Sequence, residues 1–329
     1  MGELISGAPR LSFEAMNERA AGAATGLQSL GIGKGDLIAL YLRNDFPFFE
    51  ASTAAGLLGV YATPVNWHYL PDEAAYLFEN SGAKAIVIHA DLIEPIRSAL
   101  PRGVPVLVVP TPPEIAESYG ITPAKTPAGM LDWSDWLEGF EAYAGEPSTA
   151  GGTVIYTSGT TGRPKGVRRH PPTPEQVEVY GRVLMRGFGF VGFGAPQDVV
   201  TVVTGPMYHS APNAYGLFAA RAGGTAILQP RFDPEELLQL IEKHRVTHLH
   251  MVPIMFHRLL KLPEDVKRKY DLSSLKFVVH AAAPCPPPIK RAMIEWWGPV
   301  IEEYYGATEV GIVVSCNSNE WLAHPGTVG

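Results

Sequence analysis

Short apolar runs separated by amphipathic stretches recur along most of the 329 residues. Asp36 to Leu42 holds the run Leu37-Ile38-Ala39-Leu40, of strand length, and Phe46 to Tyr61 then places apolar residues at helical spacing. The pattern predicts a helix over Pro71 to Ser81, with Pro71 in its first turn and Gly82 just past its end. Lys84 to His89, Val104 to Val109 and Thr153 to Thr157 follow as buried strands. In the second half Val199 to Val203, Thr225 to Leu228, Thr247 to Val252 and Phe277 to Val279 have the same character. Between them Asp233 to His244 and Pro286 to Trp297 read as helices, with Asp233 placed to cap the first. Strands alternating with helices imply an α/β fold of mostly parallel sheets covered on both faces. Two segments break the rhythm. Thr111 to Pro127, rich in Pro, Thr and Ala, reads as an irregular excursion, and His170 to Pro174 holds three prolines in five residues. Neither is long enough to act as a flexible linker between domains.

The length exceeds one ordinary core, so two packed units are expected. Apolar residues make up 46% and charged residues 18%, a globular composition. With 26 basic and 33 acidic side chains the net charge is −7, which argues against a broad nucleic-acid surface. No apolar run reaches the roughly 18 residues of a membrane span, and no basic stretch followed by an apolar one marks a secretory leader. Met1 to Ser6 fits the loose myristoylation pattern, a match short enough to arise by chance. Cys285 and Cys316, the two cysteines, have no metal-ligand or redox spacing, which suits the reducing cytoplasm.

The most informative stretch runs from Tyr156 and Thr157 through Ser158-Gly159-Thr160-Thr161-Gly162-Arg163-Pro164-Lys165-Gly166, after the apolar pair Val154-Ile155. Its glycines permit positive φ and close approach of backbone to a ligand. A nest of N–H donors with one lysine suits a polyphosphate. The plain alternative is a surface turn, but three hydroxyl residues, three glycines and a lysine in nine positions after a strand are hard to dismiss. It is not a Walker A loop, because Lys165 follows Pro164 and precedes Gly166 instead of opening a helix behind a glycine.

The stretch Ser158 to Gly166 resembles the signature loop of the adenylate-forming (AMP-binding) superfamily, which includes acyl-CoA synthetases, aryl-CoA ligases, luciferases and nonribosomal peptide adenylation domains. The resemblance is to the acyl-CoA synthetase, fatty-acid–CoA ligase type. Glu303-Tyr304-Tyr305-Gly306-Ala307-Thr308-Glu309 resembles the family's second signature. What it implies is that Tyr305 stacks on adenine, Thr308 bonds the α-phosphate and Glu309 ligates Mg²⁺. An aromatic face, a hydroxyl and a hard carboxylate oxygen suit those three partners. Ala281, Ala282 and Ala283, between His280 and Pro284, occupy the place of a Gly-Gly-Ala-Pro type turn lining the adenine. Alanines keep the side chains small but narrow the backbone options. The implied nucleotide contacts are thus Thr157, Ser158, Gly159, Thr160, Thr161, Gly162, Lys165, Ala281, Ala282, Ala283, Glu303, Tyr304, Tyr305 and Gly306. His209, in Pro206-Met207-Tyr208-His209, resembles the residue beside the substrate carboxylate and joins Thr308 and Glu309 as a catalytic candidate. Arg163, Arg168, Arg169 and His170 cluster round the loop, and for Arg168 and Arg169 a solvated basic turn is the preferred reading. Gly31 to Asp36 and Pro64-Val65-Asn66-Trp67 resemble packing and turn segments of fatty and aryl acid CoA ligases.

The resemblance implies an acid–thiol ligase that uses ATP, Mg²⁺ and coenzyme A to activate a hydrophobic carboxylic acid, fatty or aryl, as in lipid metabolism. It implies two stacked, mostly parallel sheets with flanking helices, spanning 36–185 and 1–35 with 196–315, with the phosphate loop facing Tyr305 to Glu309 across a cleft. Residues 316–329 resemble the opening of a small β-barrel, and the family's C-terminal cap would be absent. The start lies close to the family's first helix, which implies that a leading strand is lacking. On this reading the chain alone is inactive; the alternatives are a non-catalytic ATP- or AMP-binding fragment, or acyl transfer to a carrier-protein thiol instead of CoA. An apolar edge left open would favour self-association into a homo-oligomer. The acid pocket is expected near Tyr208 to Tyr215, Met251 to Phe256, His280 to Ala282 and Ala307 to Ile312, with Met251, Met255 and Phe256 making it apolar.

Overall fold

Strands that are buried on both faces lose the alternation of apolar and polar residues, and the unbroken apolar runs of this chain become such strands. A computed structural model describes residues 2–148, 151–157, 163–168, 173–192 and 194–329. The chain divides into two compact units, Leu11–Pro171 with Met207–Ser210, and Met1–Arg10 with Pro172–Pro206 and Ala211–Gly329. Each is an α/β unit with a parallel sheet and flanking helices.

The first unit is built on six strands in the order Leu131–Asp132, Val106–Val109, Ala85–His89, Leu37–Tyr41, Tyr61–Pro64 and Gly152–Thr153. Every pair among them is parallel. Helix Phe13–Ser29 starts where the Ser12 hydroxyl accepts from the Ala15 N–H at 3.1 Å, and it packs on helix Phe46–Leu58. That contact keeps residues 13–35 with the six-stranded sheet, not with the second half. Between the two helices Glu50, fully buried, accepts from Arg19 Nε and Trp133 Nε1, each at 2.6 Å. The helix predicted over Pro71 to Ser81 forms with those bounds, and Gly82 ends it at φ +64°. The apolar stretch Phe46 to Tyr61 stops being helical at Leu58, because Gly59 takes φ +70° and a strand begins at Tyr61. The excursion Thr111 to Pro127 contains a helix, Pro113–Tyr119, with Gly120 at φ +65° behind it. Thr153 to Thr157 is not one strand. Gly152–Thr153 edges the sheet, whereas Ile155–Thr157 pairs antiparallel with Lys165–Val167 in a separate two-stranded ribbon.

The second unit has the strand order Gly311–Cys316, Ile301–Ala307, Phe277–His280, His248–Met251, Val200–Val203, Thr225–Leu228, Glu3–Ile5 and Arg10–Ser12. From Ile301–Ala307 to Glu3–Ile5 the pairs are parallel, and Gly311–Cys316 returns antiparallel. Glu3–Ile5, ahead of the first helix, is a strand of this sheet and pairs with Thr225–Leu228. Gly2 before it is buried, with its N–H on the Gly223 carbonyl at 3.1 Å. Asp233 caps helix Pro234–His244 by accepting from the Glu236 N–H at 2.9 Å. The last of the three prolines in the His170 to Pro174 break opens a helix, Pro174–Gly187, capped by Thr173. This helix lies on the hairpin strand, where a Cβ on Gly187 would come within 2.3 Å of Ile312, so it belongs with the second unit and not with 36–185. Residues 316–329, expected to open a barrel, hold the last residue of strand Gly311–Cys316 and then helix Ser318–Ala323. Asn317 and Glu320 cap that helix reciprocally. Among the described residues no helix is long and apolar enough to cross a membrane.

Candidate functional site

In the first unit Thr157 ends its ribbon strand directly opposite Lys165, the first residue of the returning one. Thr157 is half-buried and Lys165 exposed. Ser158, Gly159, Thr160, Thr161 and Gly162, with Arg169 and His170, lie outside the described residues. The stem is braced from its sides. Tyr76 donates its hydroxyl to the Pro164 carbonyl at 3.2 Å, and Tyr156 donates to Asn80 Oδ1 at 2.8 Å. Burial pushes the Tyr156 phenol up to about 12, so it stays a neutral donor. A Cβ on Gly166 would lie 2.9 Å from the Tyr156 ring, which is why the chain needs glycine there. Arg168 spans the Tyr61 ring at 4.2 Å and donates to the Gly35 carbonyl at 3.1 Å, a structural engagement. Arg163 lies over Tyr76 at 4.8 Å.

His209 belongs to the same unit. Before it, the Met207 N–H donates to Asn44 Oδ1 at 2.9 Å, and the Tyr208 ring meets Trp67 edge-on at 4.6 Å and His209 at 4.5 Å. His209 keeps an exposed edge, while the protein packed round its other side holds its pKa below the ordinary imidazole value. At neutral pH it is an uncharged imidazole, able to hydrogen-bond a carboxylate through its N–H.

In the second unit the remaining candidates gather at the carboxyl ends of two adjacent parallel strands, the side of an open α/β sheet where ligands bind. His280 pairs in register with Glu303, so Ala281 to Ala283 leave the sheet beside Tyr304 to Gly306, which continue into the hairpin. Ala281 is buried, and Ala282 and Ala283 are exposed. Ala282 takes φ +74°, a left-handed conformation that glycine adopts freely and alanine does not. Alanine at this position thus holds the turn in a strained conformation. Tyr305 is 59% exposed. Thr308 and Glu309 form the turn of the hairpin between Ile301–Ala307 and Gly311–Cys316, Glu309 exposed and Thr308 half-buried. The pairing slips between Tyr305, opposite Val314, and Gly306, opposite Ile312, leaving Val313 as a bulge. A Cβ on Gly306 would stand 2.2 Å from the Gly311 carbonyl oxygen, so the hairpin closes around a glycine.

Glu303 and Tyr304 differ from their neighbours. Both faces of the strand are covered as far as Tyr304, and the cover ends at Tyr305. Tyr304 packs in an aromatic cluster with Phe188 and shares a hydrogen bond with His250 Nε2 at 3.0 Å. Glu303 accepts from Lys290 Nζ at 2.6 Å in the interior. Their side chains are committed within the unit. Met251, Met255 and Phe256, expected to line a pocket, are core residues. Helical spacing turns Met255, Phe256 and Leu259 inward and leaves Ile254 61% exposed.

Among the described residues no group of three or more His, Cys, Asp or Glu is placed to hold a metal. A lone exposed Glu309 fits Mg²⁺, which is usually held by one or two carboxylates together with substrate phosphates. Sequence reasoning missed the buried Lys290, although its signal was present. It shares the buried spacing of Met293, Ile294 and Trp297 on one helix face.

A model of the AMP-binding enzyme family matches residues 3–329. The 4-coumarate–CoA ligase 3 of Oryza sativa subsp. japonica is 31% identical over 301 residues, covering 89% of this chain and 50% of that protein. A medium/long-chain-fatty-acid–CoA/3-oxocholest-4-en-26-oate–CoA ligase of Mycolicibacterium smegmatis is 29% identical over 329 residues, covering 94% and 58%. The solved amide bond synthetase McbA from Marinactinospora thermotolerans matches with a TM-score of 0.79 at 21% identity, over 97% of this chain and 60% of that one, a likeness of fold. The chain spans about half the length of the curated plant relatives it matches.

Proposed function

Because the chain belongs to the AMP-binding enzyme family, we propose that it is the nucleotide-binding part of an acid–thiol ligase that activates a hydrophobic carboxylic acid. A carboxylate oxygen attacks the α-phosphorus of ATP, and the bond to pyrophosphate breaks. A thiol sulfur, that of coenzyme A, then attacks the acyl carbon, and AMP leaves with the electron pair of the mixed anhydride. The observation that carries this reading is the placing of exposed Tyr305 and Glu309, with half-buried Thr308, on a hairpin at the carboxyl edge of a parallel sheet. Tyr305 offers its face to adenine, Thr308 its hydroxyl to the α-phosphate, and Ala281 to Ala283 their backbone. Thr157 and Lys165, with Ser158 to Gly162, bind the phosphates, and His209 donates to the acid's carboxylate. Glu303 and Tyr304 act from the interior, through the backbone they hold. Glu309 would hold Mg²⁺, which supplies charge neutralisation on the phosphates when bound. The relatives' names, a coumarate ligase and a fatty-acid ligase, support an aryl or fatty acid. The unpaired Cys285 and Cys316 support a cytoplasmic setting.

The test is pyrophosphate release with aryl and fatty acids, assayed in the whole protein. Glu309→Gln should slow it on the order of 10²-fold, as expected when a group that stabilises transition-state charge is lost. An unchanged rate removes Glu309 from the reaction.

A further inference from the structure

Lys290 is fully buried in helix Pro287–Trp297. Its ammonium lies 2.6 Å from Glu303 Oε2 and 4.0 Å from Cys316 Sγ, with the Trp321 ring 5.0 Å away. Glu303 is also 3.5 Å from His280 Nε2, and His280 is buried with neither ring nitrogen in a hydrogen bond. His280, Glu303 and Cys316 sit on three adjacent strands, Phe277–His280, Ile301–Ala307 and Gly311–Cys316. A single cation thus sits where the carboxyl end of Phe277–His280, the middle of Ile301–Ala307 and the far end of the hairpin's return come together.

Such a pair is weak evidence for stability, because well-packed apolar residues of similar volume often replace a buried ion pair at no loss. What an ion pair adds over an apolar contact is direction, since Glu303 can accept from Lys290 in one arrangement of helix and strand. The backbone released just past this pair is the backbone that carries the candidates. Ala281 follows His280 directly, and Tyr305 lies two residues beyond Glu303. We infer that Lys290 and Glu303 are positioning residues, whose ion pair fixes the spacing between the Ala281–Ala283 turn and Tyr305 and thereby the affinity for the nucleotide. This rests on the AMP-binding reading above.

The experiment compares ATP affinity by calorimetry with the melting temperature in the unaltered protein, in Lys290→Met, and in Lys290→Met combined with Glu303→Leu. The single variant leaves a buried carboxylate unpaired and should lower both. The double variant should recover the melting temperature while its Kd for ATP stays weaker by about two- to thirtyfold, the range expected when a coupling residue outside the site is changed. A double variant that melts like the unaltered protein and binds ATP equally well makes the pair purely structural and overturns the inference. Glu303→Gln keeps the side-chain shape and serves if the double variant does not fold. It should weaken ATP while its unfolding stays cooperative, and an unchanged Kd there overturns the inference as well. No ATP binding by the unaltered protein would instead remove the functional reading on which the inference stands.

Discussion

In the six-stranded unit the buried Arg43, Asp45 and Glu50 each have a side-chain partner. Arg43 bonds Asp91 at 2.6 Å, Glu50 bonds Arg19 at 2.6 Å, and His89 Nε2 donates to Asp45 at 3.1 Å. The eight-stranded unit treats its buried polar groups differently. His248 and His250 are pushed down to about 4 and His280 to about 3, in each case mainly by burial. These rings stay uncharged, and Lys290 with Glu303 is the closed ion pair. A paired charge fails when its partner is removed, whereas a neutral histidine fails when the solvent turns acidic. The two units should therefore break under different insults.

The largest effect is expected from removing a partner in the six-stranded unit. Arg19→Met leaves Glu50 buried with the Trp133 N–H as its remaining donor, and should destabilise by about 3 kcal/mol in urea unfolding. A loss no larger than that of a surface substitution would mean that the pairing there is incidental. Acidification should strike the other unit. An unfolded histidine takes up a proton near 6.5, which the folded rings refuse until about 4 or 3. Stability is therefore lost as pH falls from about 6.5 toward 4. Glu302 works in the opposite direction. Burial raises its carboxyl from 4.5 to about 7, so its contribution is full below 4.5 and fades as pH rises toward 7. Three histidines outweigh one carboxylate, and the melting temperature should drop across this window. His280→Leu should flatten the drop, and a melting curve indifferent to pH would sink the contrast. The smallest effect concerns Ala282. Replacement by glycine removes the left-handed strain but enlarges the unfolded ensemble, for a net gain of about 0.5 kcal/mol. A clear loss on Ala282→Gly would show that the methyl group makes a contact worth more than its strain.

The parallel sheets were legible because doubly covered strands are continuous apolar runs, as in Leu37–Tyr41 and Ala85–His89. Helix Pro71–Ser81 was legible because proline and glycine punctuate it. The same punctuation brackets Pro113–Tyr119, where the surrounding Pro, Thr and Ala disguised it. The hairpin from Ile301 to Cys316 was not read as strands, because its outer residues are exposed and a bulge interrupts its alternation. The candidate residues were found through resemblance to signature loops; their types alone would have suggested a surface turn for Ser158 to Gly166 and a strand end for Glu303 to Glu309. Composition could not tell Tyr304 from Tyr305. Their opposite environments follow from where the cover of the sheet ends, a tertiary fact. Lys290 escaped because a lysine in an apolar stripe becomes informative once its counter-ion, thirteen residues further on in sequence, is known.

The bulge at Val313 has an evolutionary consequence. A bulge bends the strand that carries it and sharpens the local twist. Gain or loss of a single codon at this point would swing Tyr305, Thr308 and Glu309 together while leaving each of them unchanged. The aim of this hairpin can thus be inherited separately from its chemistry.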